Sequence, residues 1–168
     1  MEKNMLFIGI DPGMNGGVAG IEINEKEEQT RAFRCPKTPY DMHIGLRALI
    51  GDIESYDLVK VYAECVWAFP TDARSSAFRF GFNYGVWNGI LAALELDVRE
   101  VAPKTWMNHY DMLPNMEKKE RKRWLKDTAI GLFPKLRVTF NISDALLIAN
   151  YGKEIYIKEQ IKLKRKNK

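Results

Sequence analysis

The first 35 residues alternate between apolar runs and short polar connections. Residues 5–10 are apolar throughout, residues 18–23 alternate in character, and residues 30–35 form a third extended segment. A Pro- and Gly-rich turn over 12–17 separates the first two segments, and a polar stretch over 24–28 separates the second from the third. Strands joined by such short connections pair with their neighbours, so the pattern predicts an antiparallel three-stranded meander.

Helical periodicity appears next and then alternates with short strands. Residues 39–55 place five apolar side chains on one helical face, which are those of Met42, Leu46, Leu49, Ile50 and Ile53. A fourth strand is predicted over 56–64, followed by a long helix over 75–96. That helix carries aromatic residues and three glycines, which weaken a helix by about 1 kcal/mol each and therefore favour close packing against another helix.

The remaining elements are shorter. They are a fifth strand over 98–101, a brief helix begun by Pro103, a basic helix over 117–133, a strand or extended run over 136–140, and a last helix carrying Asp144. The order of elements predicts an α/β fold, with a five-stranded mixed sheet that combines the meander with parallel strands and is flanked by helices.

Three carboxylates lie at the ends of predicted elements. Asp11 follows the first strand, Glu64 closes the fourth, and Asp144 opens the last helix. If the two strands are parallel neighbours, their carboxyl ends meet at one edge of the sheet, where open α/β sheets place their ligands. Clustered carboxylate oxygens suit a hard cation such as Mg²⁺ or Mn²⁺. The pattern therefore indicates a metal-dependent phosphotransfer or nuclease site.

Length and charge narrow the function further. At 168 residues the chain is long enough for one well-covered core, and we expect one domain over 1–155 with a basic tail over 156–168. The net charge is +4, and the basic residues are concentrated over 117–126 and 158–168, which leaves the rest of the chain net acidic. Concentrated Lys and Arg favour binding to nucleic-acid phosphates, although a solvated helix face is an equal alternative for either run alone.

No apolar stretch is long enough to span a bilayer, and the N-terminus leads directly into a strand rather than a signal peptide. We therefore expect a cytoplasmic protein with no membrane partner. Cys35 and Cys65 lack metal-ligand spacing, which predicts two reduced thiols.

In this order, the motifs resemble those of the ribonuclease H-like nucleases and, more narrowly, the RuvC family of Holliday junction resolvases. The matching segments are residues 8–13 (IGIDPG), Glu64 with Trp67 three positions on, residues 76–81 (SAFRFG), residues 85–86 (GV), residues 101–103 (VAP), Lys118, and residues 144–149 (DALLIA). They span most of residues 5–151. The resemblance implies a phage-encoded member acting in a bacterial or phage-infected cell.

The resemblance also implies roles for particular residues. Asp11, Glu64 and Asp144 would be catalytic metal ligands for two Mg²⁺ or Mn²⁺ ions, with Asn141 as an accessory ligand, and Lys118 would contact phosphate or stabilise the transition state. Further contacts to DNA are expected from the side chains of Trp67, Phe69, Lys104, Lys119, Arg121 and Lys122. The implied partners are four-way branched DNA and a second copy of the chain, bound through the helix over 75–96.

Two positions depart from the family pattern. Asn141 stands where the family has an acid or histidine, so that position brings no charge and cannot act as a base. Met107 stands where a lysine is usual, with Lys104 as a nearby substitute.

Other functions remain open at this point. One is a different ribonuclease H-like nuclease, cutting RNA/DNA hybrids or processing phage DNA, and another is a catalytically weak protein that binds branched DNA. The opening motif also resembles the phosphate loop of actin-like ATPases, but the chain has no room for the second domain that those proteins need.

Overall fold

A computed structural model describes residues 4–51, 58–65, 67, 73–112 and 115–166. Five strands form one sheet in the order β3-β2-β1-β4-β5, and their bounds are β1 Met5–Ile10, β2 Gly17–Ile23, β3 Glu28–Arg34, β4 Val59–Glu64 and β5 Val98–Val101. The first three strands pair antiparallel, whereas β4 pairs with β1, and β5 with β4, in parallel. The predicted meander and five-stranded mixed sheet are confirmed.

Five helices cover the two faces of the sheet. They are α1 Pro39–Ile50, α2 Arg74–Ala93, α3 Pro103–Asn108, α4 Lys118–Leu132 and α5 Ser143–Lys166. One core cluster joins the sheet to α3, α4 and α5, and the other joins it to α1 and α2. Side chains alternate between the two faces of a strand, so β1 contributes Phe7 to the first cluster and Leu6 and Ile8 to the second.

Some predicted bounds were wrong, and the backbone explains why. Helix α1 ends at Ile50, because Gly51 has φ 59°, outside the helical range, and residues 52–55 of the predicted helix lie outside the described residues. Helix α2 ends at Ala93 rather than 96, and Glu95 with φ 54° turns the chain towards β5. Residues 136–140 form no strand: the segment has a bend at Leu136 and a turn at Phe140, and the amides of Leu136 and Val138 bond to nearby carbonyls instead of a sheet edge.

The last helix is one continuous element. Helix α5 begins at Ser143 and runs to Lys166, through the predicted boundary between residues 155 and 156. The division into a domain and a basic tail stays a prediction. Within the described residues, no helix combines the length and apolar character needed to cross a membrane. Both Cys35 and Cys65 are free thiols, as predicted.

The sheet and α5 together fix the positions of the three carboxylates. In the parallel pair, Ile10 of β1 lies opposite Ala63 of β4, so the next residues, Asp11 and Glu64, leave the sheet at the same edge. Helix α5 crosses β1 so closely that a Cβ at Gly9 would overlap the main chain of α5 at residues 145 and 149. Only glycine permits this approach of backbone to backbone.

Candidate active site

The three predicted carboxylates lie at one end of the sheet, and each is partly buried. Asp11 follows β1, Glu64 is the last residue of β4, and Asp144 is the second residue of α5. All three are held at the ends of regular elements that are packed in the core. This arrangement fixes the backbone position from which each side chain projects.

Each carboxylate accepts a hydrogen bond from a different donor. Asp11 Oδ1 accepts from the backbone N–H of Gly13 at 3.0 Å. Glu64 Oε1 accepts from the indole Nε1 of Trp106 at 3.2 Å, and Asp144 Oδ1 accepts from the Ser143 hydroxyl at 3.0 Å. These donors fix the orientation of each acid separately.

Burial and mutual repulsion weaken the acidity of the cluster. Burial raises the pKa of Asp11 from 3.8 to about 6, against the Gly13 N–H, which lowers it. Burial, followed by the charge of Asp11, raises the pKa of Glu64 from 4.5 to about 8. Burial also raises the pKa of Asp144, while the hydroxyl of Ser143 and then the charge of Lys122 lower it. At neutral pH the Glu64 carboxyl is therefore protonated unless a bound cation replaces the proton.

Asp11 and Asp144 line a cleft that also carries cationic side chains, whereas Glu64 is not among its lining residues. Its volume is about 490 Å³, and it lies between the loop after β1 and the N-terminal turns of α2, α4 and α5. The lining residues that carry charge are Asp11, Arg79, Lys118, Lys122 and Asp144. Since Lys118 and Lys122 are four residues apart, they share one face of α4. Acids and bases thus line the same cleft. The acids could hold cations, and the bases could contact the phosphates of a nucleic-acid backbone.

The chemical type and the position of the three acids both suit a hard divalent cation. They are oxygen ligands, the charge of Asp144 raises the pKa of Asp11, and the charges of Asp11 and Asp144 raise that of Glu64, so a cation would relieve repulsion at the site. In their present orientations, however, no three His, Cys, Asp or Glu side chains of the described residues are arranged to hold a metal ion. Each carboxylate is engaged instead by its own hydrogen-bond donor.

The predicted DNA-contacting residues divide by position. Lys122 lines the cleft, and Arg121 lies near enough to lower the pKa of Glu64. Lys104 and Lys119 are exposed and do not line it. Trp67 is 58% exposed beyond the end of β4. Phe69 lies outside the described residues.

The two positions that depart from the family pattern have structural roles. Asn141 donates from Nδ2 to the carbonyl oxygen of Asn15 at 2.7 Å, which ties the loop after β1 to the segment before α5. Met107 is partly buried and packs on the core cluster beneath α5.

Sequence reasoning missed two residues that support the acids. Asn83 is buried on α2 and donates from Nδ2 to the carbonyl oxygen of Pro12 at 2.7 Å, which fixes the residue after Asp11. Trp106 is buried on α3 and donates to Glu64. An amide in the aromatic stretch of α2 was a usable signal, because a buried amide needs a partner. Trp106 gave no such signal.

The sheet order and the position of the site define a ribonuclease H-like fold. The fold is that of RuvC, because two solved structures of that protein match nearly the whole chain. The structure of RuvC from Thermus thermophilus has a TM-score of 0.57 and 14% identity, over 93% of this chain and 97% of that one. T. thermophilus RuvC in complex with a Holliday junction substrate has a TM-score of 0.56 and 15% identity, over 92% and 96%. No protein-family model and no curated protein matches the sequence.

Proposed function

We propose that this protein is a metal-dependent endonuclease that resolves four-way and other branched DNA by paired symmetric nicks. The observation that carries the proposal is the position of three acids at one end of the sheet, where the charges of Asp11 and Asp144 act on Glu64. Asp11 and Asp144 line a cleft that also carries the side chains of Arg79, Lys118 and Lys122. The similarity of the fold to RuvC, one of whose structures holds a Holliday junction, supports the choice of substrate.

Asp11, Glu64 and Asp144 would hold two Mg²⁺ or Mn²⁺ ions. Such ions, when bound, lower the pKa of water and neutralise charge on a phosphodiester. Asp11 would be the central ligand of the three, because it follows β1, which pairs with β4 and is crossed by α5. Asn141 is committed through Nδ2 to Asn15, which leaves its Oδ1 as the accessory oxygen.

The cleft bases would bind the DNA backbone. Lys118 lines the cleft at the first turn of α4 and is the candidate for contacting the scissile phosphate. Lys122 and Arg79 extend the positive surface on two different helices. Trp67, exposed beyond Glu64, would stack on a base at the branch point.

A symmetric pair of nicks requires two sites, which a homodimer supplies. Helix α2 carries a surface suited to that role, because Phe78 is 74% exposed and Phe82 is 55% exposed. Beside them, a Cβ at Gly81, Gly85 or Gly89 would meet no atom within 4 Å. The described part of the subunit therefore does not require these glycines, and close contact with α2 of a second copy would.

A second candidate is a catalytically weak protein that binds branched DNA. One observation favours it: the position of the family's fourth acid is taken by Asn141, whose amide ties two loops together. Such a protein would bind junctions through the same bases and cut them slowly.

A cleavage assay separates these functions. The purified protein is incubated with a labelled four-way junction, an RNA/DNA hybrid and a linear duplex, in Mg²⁺, Mn²⁺ or EDTA. We expect metal-dependent paired nicks in the junction that ligase can seal. The Asp11→Asn variant is expected to bind junctions without cutting them, whereas Glu95→Gln, an exposed change beyond α2, should cut normally.

Each alternative outcome has a defined meaning. Preferential cutting of the hybrid would contradict the resolvase function. Tight binding of the junction without cutting in either metal would support the second candidate. For the dimer, sedimentation equilibrium of the wild-type protein and the Phe82→Glu variant should give two copies and one copy, and a monomeric wild type would exclude this interface.

A further inference from the structure

Phe140 is an exposed aromatic side chain in the carboxylate cleft. It lies between α4 and α5, and 53% of its surface is accessible to solvent. The same residue lines the cleft together with Asp11 and Asp144. Removing apolar surface from water is favourable, so the accessible half of this side chain leaves stabilisation available to a bound molecule.

The backbone that carries this ring is held in place. The backbone N–H groups of Ile142 and Ser143 both donate to the carbonyl oxygen of Thr139, at 3.2 and 3.1 Å. The next residue, Asn141, is tied to the loop after β1. Phe140 is thus presented on a fixed turn, at a set position relative to Asp144.

A cation lies over the ring. The Nζ of Lys126, on α4, is 4.6 Å from the ring centroid of Phe140, a cation–π distance. This contact restrains the orientation of the ring and leaves half of the residue accessible. It also adds a positive charge next to the cleft.

The chemistry of the cleft identifies the occupant. Arg79, Lys118 and Lys122 call for an anion, while the ring of Phe140 and the side chain of Met14, 52% exposed, present apolar surface in the same space. A volume of about 490 Å³ is within the range of small-ligand sites. A nucleotide combines a phosphate with a flat aromatic base, and it matches both surfaces at once.

We propose that Phe140 stacks on an unpaired nucleobase of the DNA strand whose phosphate lies over Asp11 and Asp144. The site rests on the proposed function, and it adds a base-contacting residue on the wall formed by α4 and α5, separate from Trp67. Stacking at this wall would hold one base out of the duplex next to the cut and would favour substrates with an unpaired base there. Base stacking on an aromatic side chain tolerates any base, so the selection is for strand structure more than for sequence.

The test uses 2-aminopurine, a fluorescent base that is quenched when it stacks. It is placed in turn at each nucleotide flanking the branch point of a four-way junction, and binding is measured with Asp11→Asn protein in EDTA. The ring is then changed by Phe140→Leu, which keeps an apolar side chain without an aromatic face, and by Phe140→Trp, which keeps the face. Leu132→Ala, at a side chain 45% exposed and outside the cleft lining, is the matched control.

At one position, we expect the Phe140→Leu complex to be brighter than the parent complex and the affinity to fall by about tenfold. Phe140→Trp should restore both, and Leu132→Ala should change neither. If the Phe140→Leu and parent complexes have equal fluorescence at every position and equal affinity, the stacking role is overturned. Cutting of the junction by protein with an intact Asp11 would still support the nuclease function in that case. If Asp11→Asn protein binds the junction no more tightly than linear duplex, both proposals fall.

Discussion

Replacing Glu64 with glutamine should stabilise the protein in the absence of metal, and increasingly so as the pH rises from about 4.5 to about 8. The native pKa of Glu64 is about 8, and its ordinary value is 4.5. Between these values the native state holds a proton that the unfolded chain has lost, so the stability contributed by Glu64 falls as the pH rises through that window. Glutamine is neutral at every pH and can still accept the hydrogen bond from Trp106.

The size of the effect follows from the pKa. A tenfold change in a proton equilibrium is worth about 1.4 kcal/mol, so the ionised Glu64 carboxylate costs the native state at most about 5 kcal/mol at pH 8.5. Water entering an open cleft reduces this cost, and we expect Glu64→Gln to gain about 2 kcal/mol. For a chain of this size that corresponds to a rise in Tm of about 4–8 °C.

Thermal unfolding in EDTA at pH 5 and pH 8.5 measures the effect. Glu64→Gln should match the wild-type Tm closely at pH 5 and exceed it at pH 8.5. Glu95→Gln is the control, because Glu95 is exposed at the opposite end of β5 from the site, and it should change Tm little at either pH. A lower Tm for Glu64→Gln at pH 8.5, or an equal gain at both pH values, would refute burial and the repulsion by Asp11 as the cause of the raised pKa.

Three further changes test the walls and supports of the cleft. Lys122→Ala should weaken binding to every DNA and reduce the salt dependence of binding by about one charge. Lys119→Ala should weaken binding less, and titrations at several salt concentrations show whether the two variants differ. Asn83→Leu leaves the Pro12 carbonyl buried and unpaired, so urea unfolding should show a loss of about 1–3 kcal/mol, and kcat should fall more than KM; an unchanged kcat would contradict the support of Asp11. Gly152→Ala places a methyl group on the Tyr62 ring and should cost about 1–3 kcal/mol, and a wild-type Tm would argue against that close packing.

The sequence predicted the features that depend on local periodicity. The strand over 98–101 was placed correctly, and Asp11 and Glu64 were placed at one sheet edge because both directly end apolar runs. The extent of the last helix was harder to predict, because its C-terminal part is largely basic and its apolar residues do not mark an end.

Contacts between distant residues were not predictable in this way. Asn83 bonds to a carbonyl 71 residues earlier in the chain, and Trp106 bonds to an acid 42 residues earlier. Both pairs depend on how α2 and α3 dock on the sheet. The ends of α1 and α2 escaped prediction for another reason, because they follow from backbone angles at Gly51 and Glu95.

The contact at Gly9 fixes the distance between β1 and α5 beneath the candidate site. Because main chain meets main chain there, the span from the strand that bears Asp11 to the helix that bears Asp144 is a backbone dimension, independent of the bulk of any side chain. Residues elsewhere in the interior can then be exchanged over evolution without widening or narrowing that span. A fold maintained in this manner can keep its architecture while sharing only 14% of its residues with a structural counterpart.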